Sequence, residues 1–161
     1  LKRINDWLRT HYHDKQVQEQ TDILREQLLR ETVPDLVVDV KLTKGNPPPR
    51  RSDLAYVDVS ITNYGGKTEI IKGHFRISFS NNPTYDQEKN LSDVEMPKSK
   101  VENFFFIIKF VPEQEVMTGH SLLKFEYEIC FKGANGQPKE KKRGCHYDRQ
   151  KKQFIPDAQE Q

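Results

Sequence analysis

The side chains best suited to chemistry in this chain are five histidines and two cysteines. Cys145, His146 and Asp148 lie within four positions and offer a thiol, a base and a carboxylate, the parts of a nucleophilic hydrolase. Neighbouring residues of a strand point to opposite faces, however, so Cys145 and His146 cannot share a hydrogen bond in a regular strand. His11 and His13 are about 200° apart around a helix and cannot chelate one metal. His74 falls on the polar face of a strand, and His120 follows Gly119 in a turn. There is no Cys-x-x-Cys pair at zinc spacing, and the minimal residues of phosphate loops, nucleophile elbows and metalloprotease helices are missing. The carboxylate pairs Asp35 with Asp39 and Glu126 with Glu128 sit on strand faces, without an apolar cleft to raise either pKa. No catalytic, metal or cofactor residue is assigned, and a non-enzymatic protein without a cofactor is expected. A tight hairpin at Asn135-Gly136 leaves Cys145 roughly 13 Å beyond the position facing Cys130, outside the ~7 Å reach of a disulfide.

One charge cluster stands out. Lys139, Lys141, Lys142, Arg143, Arg149, Lys151 and Lys152, against Glu140 and Asp148, give +5 in 14 residues, with Tyr147 and Phe154 nearby. Such a surface suits an anionic partner: lipid headgroups, nucleic acid, an acidic protein, or a small signal such as a nucleotide, for which cations beside aromatic rings supply phosphate and base contacts. The competing reading is a solvated edge strand on which lysines discourage stray pairing.

The elements that hold these residues follow from periodicity. Leu1 to Glu31 contains neither Gly nor Pro and is rich in Gln, Glu, Arg, Lys and Leu, which predicts one or two helices. Their apolar stripe is thin: Leu1, Ile4 and Leu8, then Val17, Leu24 and Leu28. Trp7, Val17, Leu24 and Leu28 form the candidate face for docking or for a partner. Pro34 ends the helix.

Beyond it the period becomes two. Leu36 to Thr43, Ala55 to Thr62 and Ile71 to Phe79 each alternate apolar with polar residues. The last two runs flank Asn63-Tyr64-Gly65-Gly66 and are expected to pair as a hairpin. Gly45 to Arg51, with three consecutive prolines, is a stiff connector. Residues 81–100 show no apolar period and are expected as a functional loop or an excursion between sheets. Val101 to Val111 is apolar on both faces, which predicts a central strand or one covered by the helix near Leu24 and Leu28. Leu123 to Phe131 alternates, Asn135-Gly136 turns, Lys139 to Tyr147 returns as a polar edge, and Phe154-Ile155 closes the domain.

This pattern predicts a mainly β fold: an antiparallel immunoglobulin-like β-sandwich of about seven strands preceded by a long N-terminal α-helix, with a small β-barrel as the alternative. The divisions expected are a helical stalk or docking helix over 1–33, the sandwich over 34–157 and a polar tail over 158–161. The only tryptophan is Trp7, so the Cys…Trp…Cys core of antibody domains is absent. A net charge of +2 argues against nucleic acid as a partner. No run approaches the ~20 apolar residues that span a bilayer. The chain opens on Leu1, and membrane association is expected to come from sequence upstream of it.

The chain resembles uncharacterised bacterial membrane-anchored proteins in which a polar N-terminal helix ends at a proline before an immunoglobulin-like domain. The resemblance rests on Glu31-Thr32-Val33-Pro34-Asp35-Leu36, on Val57 to Gly66, and on Phe125-x-Tyr127-x-Ile129 with Asn135-Gly136 and Cys145-His146-Tyr147-Asp148. It implies a non-enzymatic, membrane-proximal interaction or sensing module whose partner is another protein, a second copy or an anionic membrane surface. The alternative is an effector that senses a small anionic ligand through the basic C-terminal strand region.

Overall fold

The alternating runs become two antiparallel sheets in a computed structural model that describes residues 2–45 and 49–158. Strands β1 (Leu36–Lys44), β2 (Ala55–Asn63) and β5 (Val101–Ile108) form one sheet in the order β1-β2-β5. The other contains β3 (Thr68–Phe79), β4 (Gln87–Met96), β6 (Leu123–Lys132), β7 (Pro138–Asp148) and β8 (Gln153–Pro156), in the order β4-β3-β6-β7-β8. Neither sheet closes on itself, so the fold is an open sandwich and not a barrel. Its order matches the immunoglobulin plan with the fourth strand moved onto the opposite sheet.

Period-two alternation directs one face of each strand inward. Val57, Val59 and Ile61 of β2 meet Phe75 and Ile77 of β3, Phe104 and Phe106 of β5, and Phe125 and Ile129 of β6. Phe75 is the hub of this core, edge-on to Phe104 and stacked beside Phe125 and Tyr127. At Ile71 the β3–β6 register shifts, so inward parity changes from Ile70 to Gly73. Gly73 lies against the Phe75 ring, which a Cβ there would strike at 2.9 Å.

Several expectations are overturned. β2 and β3 are not a hairpin; they lie in different sheets. The segment between them crosses the sandwich because Asn63 is fully buried and organises it: its amide nitrogen donates to the carbonyls of Gly66 and Met96, and its amide oxygen accepts from the Gly65 and Asp35 N–H groups. Residues 87–96 are a strand and not a loop; β4 is solvated on most positions because it is the sheet edge, and this removes the apolar period.

β5 is likewise an edge and not central. It stops at Ile108, and a helix the periodicity did not indicate, α2 (Phe110–Thr118), follows. Pro112 sits in its first turn, and Gly119 ends it in the left-handed conformation. Phe110 therefore leaves the core face and is exposed.

The N-terminal segment is one helix, α1 (Lys2–Thr32). It does not cover β5: Leu24 is 64% and Leu28 59% exposed, while Phe105 and Ile107 on the outer face of β5 are also open. Leu1, residues 46–48 of the proline connector and residues 159–161 of the tail lie outside the described residues. No described helix is long and apolar enough to cross a membrane.

Candidate functional site

The basic cluster is spread by strand alternation over separate surfaces. Lys139, Lys141 and Arg143 pair across the ladder with Phe131, Ile129 and Tyr127, and so share the inner face of β6. Lys142 pairs with Glu128 on the outer face. Arg149, Lys151 and Lys152 belong to the β7–β8 turn, where the Asp148 carboxylate accepts the N–H groups of Gln150 and Lys151. The Arg149 guanidinium lies against Gly119 at the C-terminus of α2, where a cation complements the helix dipole. From Lys139 to Asp148 the strand rises roughly 30 Å, so the seven cations do not make one anion site.

Three of them, Lys141, Lys142 and Arg143, line one groove. β1 ends the three-stranded sheet, and the partly paired β7 faces it across the flank of the sandwich. A groove of about 1280 Å³ runs between them and onto the outer face of the five-stranded sheet, where His74, Arg76, Glu126, Glu128 and Lys142 line it. Its walls include Val38 and Val40 from β1, Tyr127 from β6, Cys145 from β7 and Phe154 from β8, all half-buried. Lys141 and Arg143 enter from the same face as Tyr127. The Lys141 ammonium donates to the Leu36 carbonyl at 2.6 Å, linking the two sheets at the rim. Burial raises the Tyr127 phenol above its ordinary pKa, and nearby Arg143 opposes that shift.

Cys145 and His146 take opposite faces of β7, as alternation requires. The His146 ring nitrogen Nδ1 lies 2.6 Å from the Asp157 carboxylate, so its partner is Asp157 and not Asp148. Burial, reinforced by the Asp157 charge, pushes the Cys145 thiol up to about 12, which suppresses the thiolate a nucleophile needs. Both cysteines are free thiols. Cys130 faces Glu140 and Cys145 faces Phe125, so the register separates them further than the tight hairpin implied. Among the described residues no group of His, Cys, Asp and Glu could hold a metal.

Two other clusters escaped the sequence reading. On the outer face of the three-stranded sheet, Arg50 makes a paired contact with Asp58, and Thr43 donates to the same carboxylate at 2.7 Å. The guanidinium lies 4.6 Å from the Tyr56 ring centroid and 5.1 Å from that of Phe105. Hydrogen bonding from Arg50 holds the Asp58 carboxyl below its usual range. At one end of the sandwich, buried Glu113 of α2 pairs with Lys44, leaving its Oε2 without a partner. Both depend on tertiary contacts, which periodicity does not report.

Of the candidate helix face, Trp7 is exposed and stacks at 4.0 Å on His11, and Val17, Leu24 and Leu28 are exposed as well.

No model of a known protein family and no curated protein matches the sequence. Among solved structures, the chain is similar to a Bordetella pertussis protein provisionally named ApaA, at 17% identity and a TM-score of 0.44 over 70% of this chain and 90% of that one. It is also similar to a target of the Northeast Structural Genomics Consortium, at 12% identity and a TM-score of 0.42 over 68% of this chain and 84% of the other. A third likeness is to an Archaeoglobus fulgidus protein, at 9% identity and a TM-score of 0.37, covering 71% and 95% of the two chains.

Proposed function

We propose that the protein is a non-enzymatic interaction or sensing module held near a membrane, with α1 as the spacer that sets its sandwich off from the bilayer. The observation that supports this is the undocked α1. A 31-residue helix is about 46 Å long at 1.5 Å per residue, and its exposed surface is polar on most sides. A helix of that kind bridges solvent between two attachment points; a helix central to a core would carry a broad apolar stripe.

The aromatic side chains of α1 lie toward one end. Ile4, Trp7, Leu8 and Tyr12 are exposed within its first third, among Arg3 and Arg9. Indole and phenol rings beside arginines suit the headgroup region of a bilayer. The sandwich supplies the recognition surface at the far end.

The test is fractionation of the native protein, expressed from its own gene with a C-terminal tag. The proposal expects it in the membrane pellet and resistant to an alkaline carbonate wash. Recovery in the supernatant before any wash contradicts it.

A further inference from the structure

We infer that one face of α1 is a self-association seam, on which a second copy of the chain packs in parallel as a two-stranded coiled coil. The inference deepens the interaction reading by naming the partner. Its parallel direction rests on the spacer reading, in which both copies leave one bilayer face by their N-terminal ends.

The spacing of side chains along α1 supplies the first argument. Thr10, Asp14, Val17, Thr21, Leu24 and Leu28 follow one another at alternating intervals of four and three, the repeat that lets two helices wind around each other. Trp7 continues it toward the N-terminal end. At 3.6 residues per turn, Thr10, Val17, Thr21, Leu24 and Leu28 fall within a sector of about 60°, and Val17, Leu24 and Leu28 are exposed. The two threonines do not spoil an apolar contact. The Thr10 hydroxyl donates to the Asp6 carbonyl at 2.9 Å, and the Thr21 hydroxyl donates to the Val17 carbonyl at 2.8 Å. Both donors therefore stay satisfied when the seam is covered. Leu8 lies about 180° from Val17 around the axis, so the apolar residues near the N-terminal end and the seam occupy different sides of the helix.

Charge and area supply the second argument. In a parallel pair the positions flanking the seam set Asp6 near the partner's His11, His13 near the partner's Gln18, and Gln20 near the partner's Arg25. No like charges meet at these flanks. Asp14 is the one repulsive position, because it faces the partner's Asp14, and such a polar residue fixes register at a cost in stability. The 31 residues of α1 offer a strip of about 46 Å by 10 Å on each copy, roughly 900 Å² in total, which is the size of a weak, reversible contact. Tethering both copies to one surface would strengthen it by raising their effective concentration.

Sedimentation equilibrium of the intact soluble chain tests the seam. The expected result is a monomer–dimer equilibrium with a dissociation constant in the tens to hundreds of micromolar. Leu24→Glu, which keeps a good helix former, should weaken the dimer at least tenfold. Asp14→Leu should tighten it at least tenfold. Both positions are exposed, so neither change should alter the melting of the sandwich. Val17→Cys in a Cys130→Ser background reads the direction. Like seam positions meet in a parallel pair, and a mild oxidant should cross-link the two copies through Cys at this position. The antiparallel register that keeps Asp14 out of the apolar layers sets Val17 against the partner's Leu28, and the two thiols would then lie roughly 17 Å apart along the axis, beyond the ~7 Å reach of a disulfide. A chain that stays monomeric at millimolar concentration, undiminished association of Leu24→Glu, no tightening by Asp14→Leu, or a dimer that Val17→Cys does not cross-link would each overturn the inference. Sedimentation needs no bilayer, so its failure is separate from that of the membrane reading, which fractionation decides.

Discussion

The Lys141 ammonium donates to the main-chain carbonyl of Leu36 at 2.6 Å, joining two residues that are 105 positions apart. The bond ties the β1 edge to β7 at the mouth of the flank groove. Lys141→Met should remove it while keeping much of the side-chain stem, and should lower stability by about 1 kcal/mol. In a domain of this size that is a fall in melting temperature of about 3–5 °C, measurable by differential scanning calorimetry.

Asn63→Ala should be among the most damaging single changes. It leaves the Gly66 and Met96 carbonyls and the Gly65 N–H without their side-chain partner in a fully buried position. The expected loss is about 3 kcal/mol, read by urea unfolding. Asn63→Asp should do worse at neutral pH, because a carboxylate would face two carbonyl oxygens. That buried acid has a folded pKa raised above its unfolded value. The variant should therefore gain relative stability at low pH and lose it as the pH rises through the folded pKa.

Asp58 has the opposite sign. Its carboxyl is held low first by the Arg50 hydrogen bond and then by Thr43. A depressed folded pKa gives stability that is present above the unfolded value, near 4, and is lost as the pH falls through the folded pKa. The pair is partly solvated, so its contribution is about 1 kcal/mol at most and falls with salt. Asp58→Asn should flatten the acid limb of the stability curve, as chemical denaturation between pH 2 and 6 would record.

The Cys145 thiol, pushed up to about 12 by burial and Asp157, should resist modification. In a Cys130→Ser variant at pH 8, a disulfide reagent should react with Cys145 only as fast as the chain opens. Its rate should rise steeply across the unfolding transition.

The alternating strands were legible because one face of each is buried and the other wet, as Val57-Asp58-Val59-Ser60-Ile61 illustrates. The hairpin at Asn135-Gly136 was legible because a left-handed glycine is needed there, and Gly136 has a φ of 76°. β4 was hidden because only Leu91, Val94 and Met96 of this mostly charged edge strand pack on the core, and their spacings of three and two break the period. The β2–β3 crossover was hidden for a different reason: Asn63-Tyr64-Gly65-Gly66 has hairpin composition, and only the burial of Asn63 beneath Met96 distinguishes the two. α2 carried its own signals in Pro112 and Gly119, but the run Phe104 to Val111 reads as continuous strand until Ile108 ends it. The groove was half legible. Lys141 and Arg143 were in the cluster, but their separation from Lys142 follows from cross-strand register.

The central claim is that α1 is an undocked spacer on a sandwich that folds by itself, and truncation with calorimetry tests it most directly. Residues 34–161 should be as soluble as the intact chain and melt within about 2 °C of it, since a helix that buries no apolar face adds almost nothing to the cooperative unit. Aggregation of the truncated chain, or a melting temperature lower by 5 °C or more, would show that α1 covers the sandwich and would contradict the account.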